Sequence, residues 1–199
     1  MISKPFSTLL PITFNVDEAV EYYNTLQNDF KHLKWTMPSY GHSGSSDYQT
    51  PTIKGWAILS PKDDNEPHCM LYDSSIQGRG HGFETLCAFG FAKRVLDFFP
   101  KAFRMYVTVN SPGLVVKPHT DTFDMPEKVY KIIMPIQTHP DATWVINNET
   151  IHMEAGKVYV INPLNEHGTV NNSNIDRVHI MFEVFQEDGE EVFSLHGSI

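Results

Sequence analysis

The chain has 199 residues, of which 41% are hydrophobic, and carries a formal net charge of −9. That length buries a sizeable core in one domain, and two cysteines in unrelated segments, Cys69 and Cys87, make neither a metal-binding pair nor a disulfide framework. An acidic balance without a basic stripe excludes nucleic acid or an anionic membrane as the main partner. The opening residues Met1 to Phe6 lack the apolar core of a signal peptide, and no apolar run reaches membrane-spanning length. A cytoplasmic location is therefore expected, and the sequence leaves the oligomeric state open.

In chain order, Asp17 to Leu26 reads as a helix: Asn15 or Asp17 offers a cap, early acids suit the N-terminal dipole, and apolar residues recur three to four apart. Ser39 to Pro51 is polar and rich in Gly and Ser, the composition of a loop. Thr52 to Leu59 and His68 to Tyr72 read as strands. Gly78-Arg79-Gly80-His81-Gly82 matches neither the dinucleotide fingerprint nor the P-loop and reads as a loop near the pocket, with Arg79 at its tip. A second helix is expected from Gly82, with Leu86, Phe89, Phe91, Val95, Leu96 and Phe99 on its apolar face and Pro100 ending it.

From Ala102 onward strands alternate with turns. Ala102 to Val109 is rich in strand formers, Ser111-Pro112-Gly113 is a turn, and Leu114 to Lys117 is extended again. Val158 to Asn162 and Arg177 to Val184 complete the β run, and the acidic Gln186 to Glu191 reads as a solvated tail or turn. In the last strand Val178, Ile180, Phe182 and Val184 share the core face, whereas Arg177, His179, Met181 and Glu183 share the other. Helices first and strands afterwards predict one domain over 1–199. It would be a mainly β antiparallel sandwich, with helical and strand supports in 1–100 and a β core in 101–186.

His119-Thr120-Asp121 carries the chemistry. On an extended backbone positions i and i+2 point to one face, offering an imidazole and a carboxylate to a divalent metal. His167, in the turn after Val158 to Pro163, offers a third ligand 48 residues on (167 − 119 = 48). Two His and one carboxylate on one face of an octahedron form the facial triad of non-haem Fe(II) oxygenases. Ten residues later (177 − 167 = 10) Arg177 opens a strand, where its guanidinium can fork onto the distal end of a dicarboxylate. A buried arginine implies an anion, and an Asp or Glu of the chain itself would serve equally well. His32, His42, His68, His139, His152 and His196 have no ligand-like partner at useful spacing and fit surface or loop positions.

The stretch Val107 to Asp121, which contains Pro112-Gly113 and Pro118-His119-Thr120, resembles the metal-binding segment of the aspartyl/asparaginyl β-hydroxylases. So do Gly156 to Asn162, Asn165-Glu166-His167 and Asp176 to Phe182; together they span residues 104 to 185. The resemblance implies a double-stranded β-helix (a cupin-like jelly roll), Fe(II), 2-oxoglutarate and O2. His119 and His167 would be iron ligands, Arg177 would pair with the C5 carboxylate, and Thr108 matches a hydroxyl-bearing residue that helps hold the co-substrate. Family members that hydroxylate EGF-like domains carry glycine where this chain has Asp121. Lys131-Ile132-Ile133 stands where relatives tend to show an arginine and a histidine.

The resulting expectation is an Fe(II)- and 2-oxoglutarate-dependent dioxygenase that hydroxylates an unactivated C–H of an amino acid or amino-acid side chain in a peptide. Lys131 or Arg79 would anchor a substrate carboxylate, and His179 would line the pocket. Two rivals use the same residues differently: a metal-binding cupin without 2-oxoglutarate chemistry, and a non-catalytic sensor or structural β-sandwich.

Overall fold

The computed structural model describes residues 7–38, 52–60, 82–121 and 129–199. Its elements begin with β1 (Ser7–Thr13), α1 (Val16–Asp29), β2 (Trp35–Pro38), β3 (Thr52–Ala57), β4 (Leu59–Ser60), β5 (Phe83–Glu84) and α2 (Gly90–Phe98). Next come β6 (Phe103–Asn110), β7 (Val115–His119), β8 (Val129–Gln137), β9 (Ala142–Ile146) and β10 (Glu149–Ile151). The chain closes with β11 (Lys157–Ile161), β12 (His167–Asn171), β13 (Arg177–Phe185), α3 (Gly189–Ser194) and β14 (Gly197–Ser198).

Two main sheets form. The larger runs β14-β1-β11-β8-β13-β6-β3-β2 and the smaller β10-β9-β12-β7; β4 and β5 pair separately. Apart from the parallel contact of β1 with β14, the pairings among the described residues are antiparallel. The architecture is mainly β and jelly-roll-like, as expected. The N-terminal residues do more than support it, because β1, β2 and β3 extend the larger sheet itself.

Strand alternation separates two cores. Val178, Ile180, Phe182 and Val184 face α1 and α2, where they meet Ala19, Tyr22, Leu26, Phe91 and Val95. The other face of the larger sheet sends Tyr106, Ile133, Tyr159, Ile161 and Met181 against Trp144 and Ile146 of the smaller one. Each large apolar side chain so buried contributes roughly 1.5–3 kcal/mol before its entropy is counted. Arg177, His179 and Glu183 share the face of Met181, so the polar side chains of β13 point into the space between the sheets.

Helix α1 is capped by Asn15, whose side chain accepts from the amides of Asp17 and Glu18, so Asn15 rather than Asp17 is the cap. The second helix corrects the sequence expectation. It begins at Gly90, not Gly82, and Phe83–Glu84 is a strand. Thr85 is the reason: its hydroxyl donates to the Ala57 carbonyl and accepts from the Cys87 amide, and its own amide donates to the Ile58 carbonyl. These bonds tie the segment to the end of β3 and to Ile58 beyond it, and leave Leu86 exposed. Gly90 then enters α2 with φ +51, where a side chain would be strained.

The acidic C-terminal run, expected as a solvated tail or turn, is a turn with exposed acids that leads into a short helix. It forms a 3-10 turn at Gln186–Asp188 and then α3, which buries Val192, while Lys101 bridges Asp188 and Glu191. Cys87 is buried, and burial pushes its thiol up to about 11, as suits an inert apolar residue. Cys69, the 39–51 loop, the 68–72 strand and the Gly78 to His81 segment with Arg79 lie outside the described residues.

Candidate metal centre

The last residue of β7 faces the first residue of β12: His119 and His167 are direct partners in the antiparallel ladder. His167 thus opens a strand rather than lying in the preceding turn. Their rings stand 4.6 Å apart, centroid to centroid. Gly168 allows this approach, since a Cβ there would lie 2.7 Å from the Val116 carbonyl oxygen. Asp121 follows two residues after His119, on the same side as extended backbone requires. Its amide donates to the Pro163 carbonyl at 3.0 Å, tying it to the loop that leads to His167.

Ligand atoms of His119, Asp121 and His167 all lie within 4.8 Å of one another. Asp121 Oδ1 is 3.3 Å from His119 Nε2, and Oδ2 is 3.6 Å from His167 Nε2. Each imidazole is oriented by a carbonyl: His119 Nδ1 lies 2.8 Å from the Lys117 oxygen and His167 Nδ1 2.9 Å from the Asn165 oxygen. A carbonyl only accepts, so Nδ1 carries the proton and Nε2 turns its lone pair toward the partner ligands. Two neutral imidazoles and one carboxylate, with nitrogens already presented, fit a divalent first-row metal such as Fe(II).

The electrostatics are uneven. A hydrogen bond to Asp121 raises the pKa of half-exposed His119 above its ordinary value, whereas burial lowers that of His167. Burial alone would raise the Asp121 carboxyl; Lys131, His119 and His167 outweigh it and hold it below the usual carboxylate range. Lys131, expected as a substrate anchor, is buried on β8 and donates to Asp121 Oδ2 at 2.5 Å. Burial disfavours its charge, but Asp121, Tyr106 and Glu183 together raise its pKa. Behind Lys131, buried Glu183 meets Arg104 at 3.2 Å, and Arg104 reaches inward from a β-bulge at φ +47.

Arg177 is 2% exposed, and among the described residues no carboxylate forms an ion pair with it. One guanidinium NH donates to the Thr143 carbonyl at 3.2 Å, the group lies over Trp144 at 5.5 Å from the ring centroid, and Nε has no partner among the described residues. Burial pulls its pKa down to about 9. A buried cation with an idle donor is the feature a carboxylate-bearing ligand would relieve. Thr108 lies on β6 opposite His179, so it shares the inter-sheet face, and its hydroxyl meets Met181 Sδ at 3.5 Å. His179 is fully enclosed, and burial first, then Arg177 and His152, keep its imidazole neutral; its Nε2 has no partner among the described residues.

The structure therefore brings His119, Asp121 and His167 together and places Thr108, Arg177 and His179 on the adjoining inter-sheet face. Arg79 lies outside the described residues. Sequence reasoning passed over Trp144 and Arg104, the partner of Glu183, and it fitted His152 to a surface or loop position, where its buried Nδ1 has no hydrogen-bond partner among the described residues. The alternation Ala142, Trp144, Ile146 on β9 marked Trp144 as inward-facing, but nothing local marked what it would meet.

Comparison with known proteins adds the following. A likeness exists to an oxidoreductase of the 2OG-Fe(II) oxygenase family from Burkholderia pseudomallei, at 12% identity and TM-score 0.47, covering 89% of this chain and 96% of that one. A predicted oxalate decarboxylase from Thermotoga maritima is similar at 18% identity and TM-score 0.35, over 48% of this chain and 76% of that one. Salicylate 1,2-dioxygenase from Pseudaminobacter salicylatoxidans is similar at 14% identity and TM-score 0.34 over 47% of this chain, which spans only 24% of that longer protein. No curated protein sequence matches. The family described as Aspartyl/Asparaginyl beta-hydroxylase matches residues 88–187, a span that holds the three candidate ligands and Arg177. Since that match covers just over half of the 199 residues, the chain belongs to the aspartyl/asparaginyl β-hydroxylase family of 2-oxoglutarate- and Fe(II)-dependent hydroxylases.

Proposed function

We propose that this protein hydroxylates an unactivated C–H of an amino acid, free or within a peptide, with Fe(II) at His119, Asp121 and His167. It would use 2-oxoglutarate and O2 as co-substrates, in the cytoplasm. The observation that carries this reading is Arg177, a buried guanidinium without a carboxylate partner among the described residues, facing the same inter-sheet space as the triad. When bound, Fe(II) supplies the oxygen activation that converts 2-oxoglutarate to succinate and CO2 and delivers one oxygen atom to the substrate carbon.

The chain's own contributions are orientation and exclusion of water. The Lys117 and Asn165 carbonyls hold the Nδ1 side of each ring, so that Nε2 of the neutral ring faces the metal position. Lys131 holds one carboxylate oxygen of Asp121 and leaves the rest of the group for the metal. Arg177 and the Thr108 hydroxyl would receive the distal carboxylate of 2-oxoglutarate, with bidentate geometry available only to the guanidinium. Apolar Tyr106, Ile133, Trp144 and Met181 keep the space dry.

An anaerobic titration of Fe(II) and then 2-oxoglutarate tests this, followed through the weak visible charge-transfer band of the ternary complex. The band is expected with the wild-type protein and absent with Arg177→Ala, which should still bind Fe(II). Tight Fe(II) binding with no affinity for 2-oxoglutarate would overturn the reading in favour of a cupin whose metal acts without the keto acid.

A further inference from the structure

One indole stands against His167, His179 and Arg177. The Trp144 ring lies nearly parallel to His167, with centroids 6.4 Å apart and 23° between planes, and to His179 at 6.2 Å and 14°. The Arg177 guanidinium stands over the same ring at 5.5 Å. Trp144 is itself held rigidly. It lies mid-way along β9, paired with Thr169 on one side and Ile151 on the other, and is buried to 5% exposure. Its neighbour Thr143 offers the carbonyl that accepts from both Arg177 and Thr169.

We infer that Trp144 is the spacer that sets the separation between the metal and Arg177, and so selects the chain length of the dicarboxylic keto acid the site accepts. The inference rests on the 2-oxoglutarate reading above and deepens it. His167 fixes the metal end and Arg177 the anion end, and both are packed against one inflexible aromatic body anchored in the smaller sheet. Arg177 cannot slide toward the metal without leaving both the ring and the Thr143 carbonyl. Among the described residues Trp144 Nε1 is buried without a hydrogen-bond partner, as is Arg177 Nε. Both groups donate and never accept, so this inter-sheet face suits an acceptor such as a carboxylate and disfavours a donor-only group such as an ammonium. A rigid spacer with idle donors penalises a ligand one methylene too short or too long, a difference worth about 10- to 200-fold in a fitted pocket.

The test compares oxaloacetate, 2-oxoglutarate and 2-oxoadipate, which differ by single methylenes, in calorimetric titrations of the metal-loaded protein without oxygen. Wild type should prefer 2-oxoglutarate over each neighbour by at least about tenfold. Trp144→Leu should weaken 2-oxoglutarate binding by about tenfold or more and flatten the preference to within about threefold, and Trp144→Phe should restore part of it. A purely structural role would lower stability without changing that ratio. If Trp144→Leu fails to fold, wild type labelled with 5-fluorotryptophan and loaded with Zn(II) supplies the readout. Among the three tryptophan resonances, the one most displaced when Co(II) replaces Zn(II) marks Trp144, and it should shift on adding 2-oxoglutarate. An unshifted resonance, or an unchanged chain-length preference in folded Trp144→Leu, overturns this inference alone. Wild-type protein that binds metal but none of the three keto acids overturns the underlying reading as well.

Discussion

Lys131 and Asp121 join the two sheets beside the candidate metal ligands: Nζ on β8 of the larger sheet donates to Oδ2 just beyond β7 of the smaller one at 2.5 Å. The pair bears on stability and on metal binding in opposite ways. Lys131→Met leaves the mostly buried Asp121 carboxylate without its cation, and breaking such a pair costs up to about 3–5 kcal/mol when it is fully enclosed. Asp121 retains some solvent contact, so a loss of about 1–3 kcal/mol is expected in metal-free protein. A bound divalent ion replaces the missing charge, and the penalty should shrink when denaturation is repeated with metal. Equal losses in both states would show that the lysine acts only as packing.

The acid dependence of the same carboxyl follows from its lowered pKa in the folded chain. Its contribution is complete above the unfolded value of about 4 and is lost as pH falls through the lower folded value. Asp121→Asn should therefore flatten the acid limb of a stability profile below about pH 4.

His119 behaves in the opposite sense. Its folded pKa is raised by Asp121, so the stability it contributes is full below the unfolded value near 6.5 and fades as pH rises through the folded value. Metal needs the neutral ring, and binding must expel that proton. Affinity for Fe(II) or Zn(II) should climb about tenfold per pH unit on the acidic side of the His119 transition and level off above it. Calorimetry in buffers of different ionisation heat would count the released proton. Zero release at pH 6 would contradict the assignment.

Arg177 is retained at a cost to the fold. Its cation is buried, shifted down to about 9 by desolvation and without an acidic partner among the described residues. Arg177→Met should leave the ligand-free protein equally stable, or more stable by about 1 kcal/mol, while abolishing 2-oxoglutarate binding. Chemical denaturation and ligand titration of the same preparation check both halves. A large loss of stability would mean that the guanidinium serves the fold instead.

Gly168 sets the distance between the strands that carry the two histidines. A methyl group there meets the Val116 carbonyl oxygen at 2.7 Å, so Gly168→Ala must push β7 away from β12. A destabilisation of about 1–3 kcal/mol is expected, with metal affinity falling further than stability alone explains. Val115→Ala, at an exposed position of β7, should do neither.

Local pattern was enough for much of this. Periodicity located α1 and the facing of β13, and the HxD step needed only an extended backbone to turn His119 and Asp121 to one side. Where the reading failed, a nonlocal bond prevailed. The apolar pattern around Leu86 suits a helix, but Thr85 bonds to residues nearly thirty positions earlier and holds that segment in another conformation. The acidic run after Gln186 gave no hint of the Lys101 contacts that pin it.

By itself the sequence determined which residue types are available and which face of each strand presents them, because side-chain alternation is a property of one backbone. Which residues meet across the cavity was decided only by the tertiary structure. Lys131 could have met a substrate as readily as Asp121, and Trp144 could have packed anywhere in the core. Their partners were fixed when two sheets closed face to face, since burial leaves each charge and each idle donor only the neighbours that closure provides.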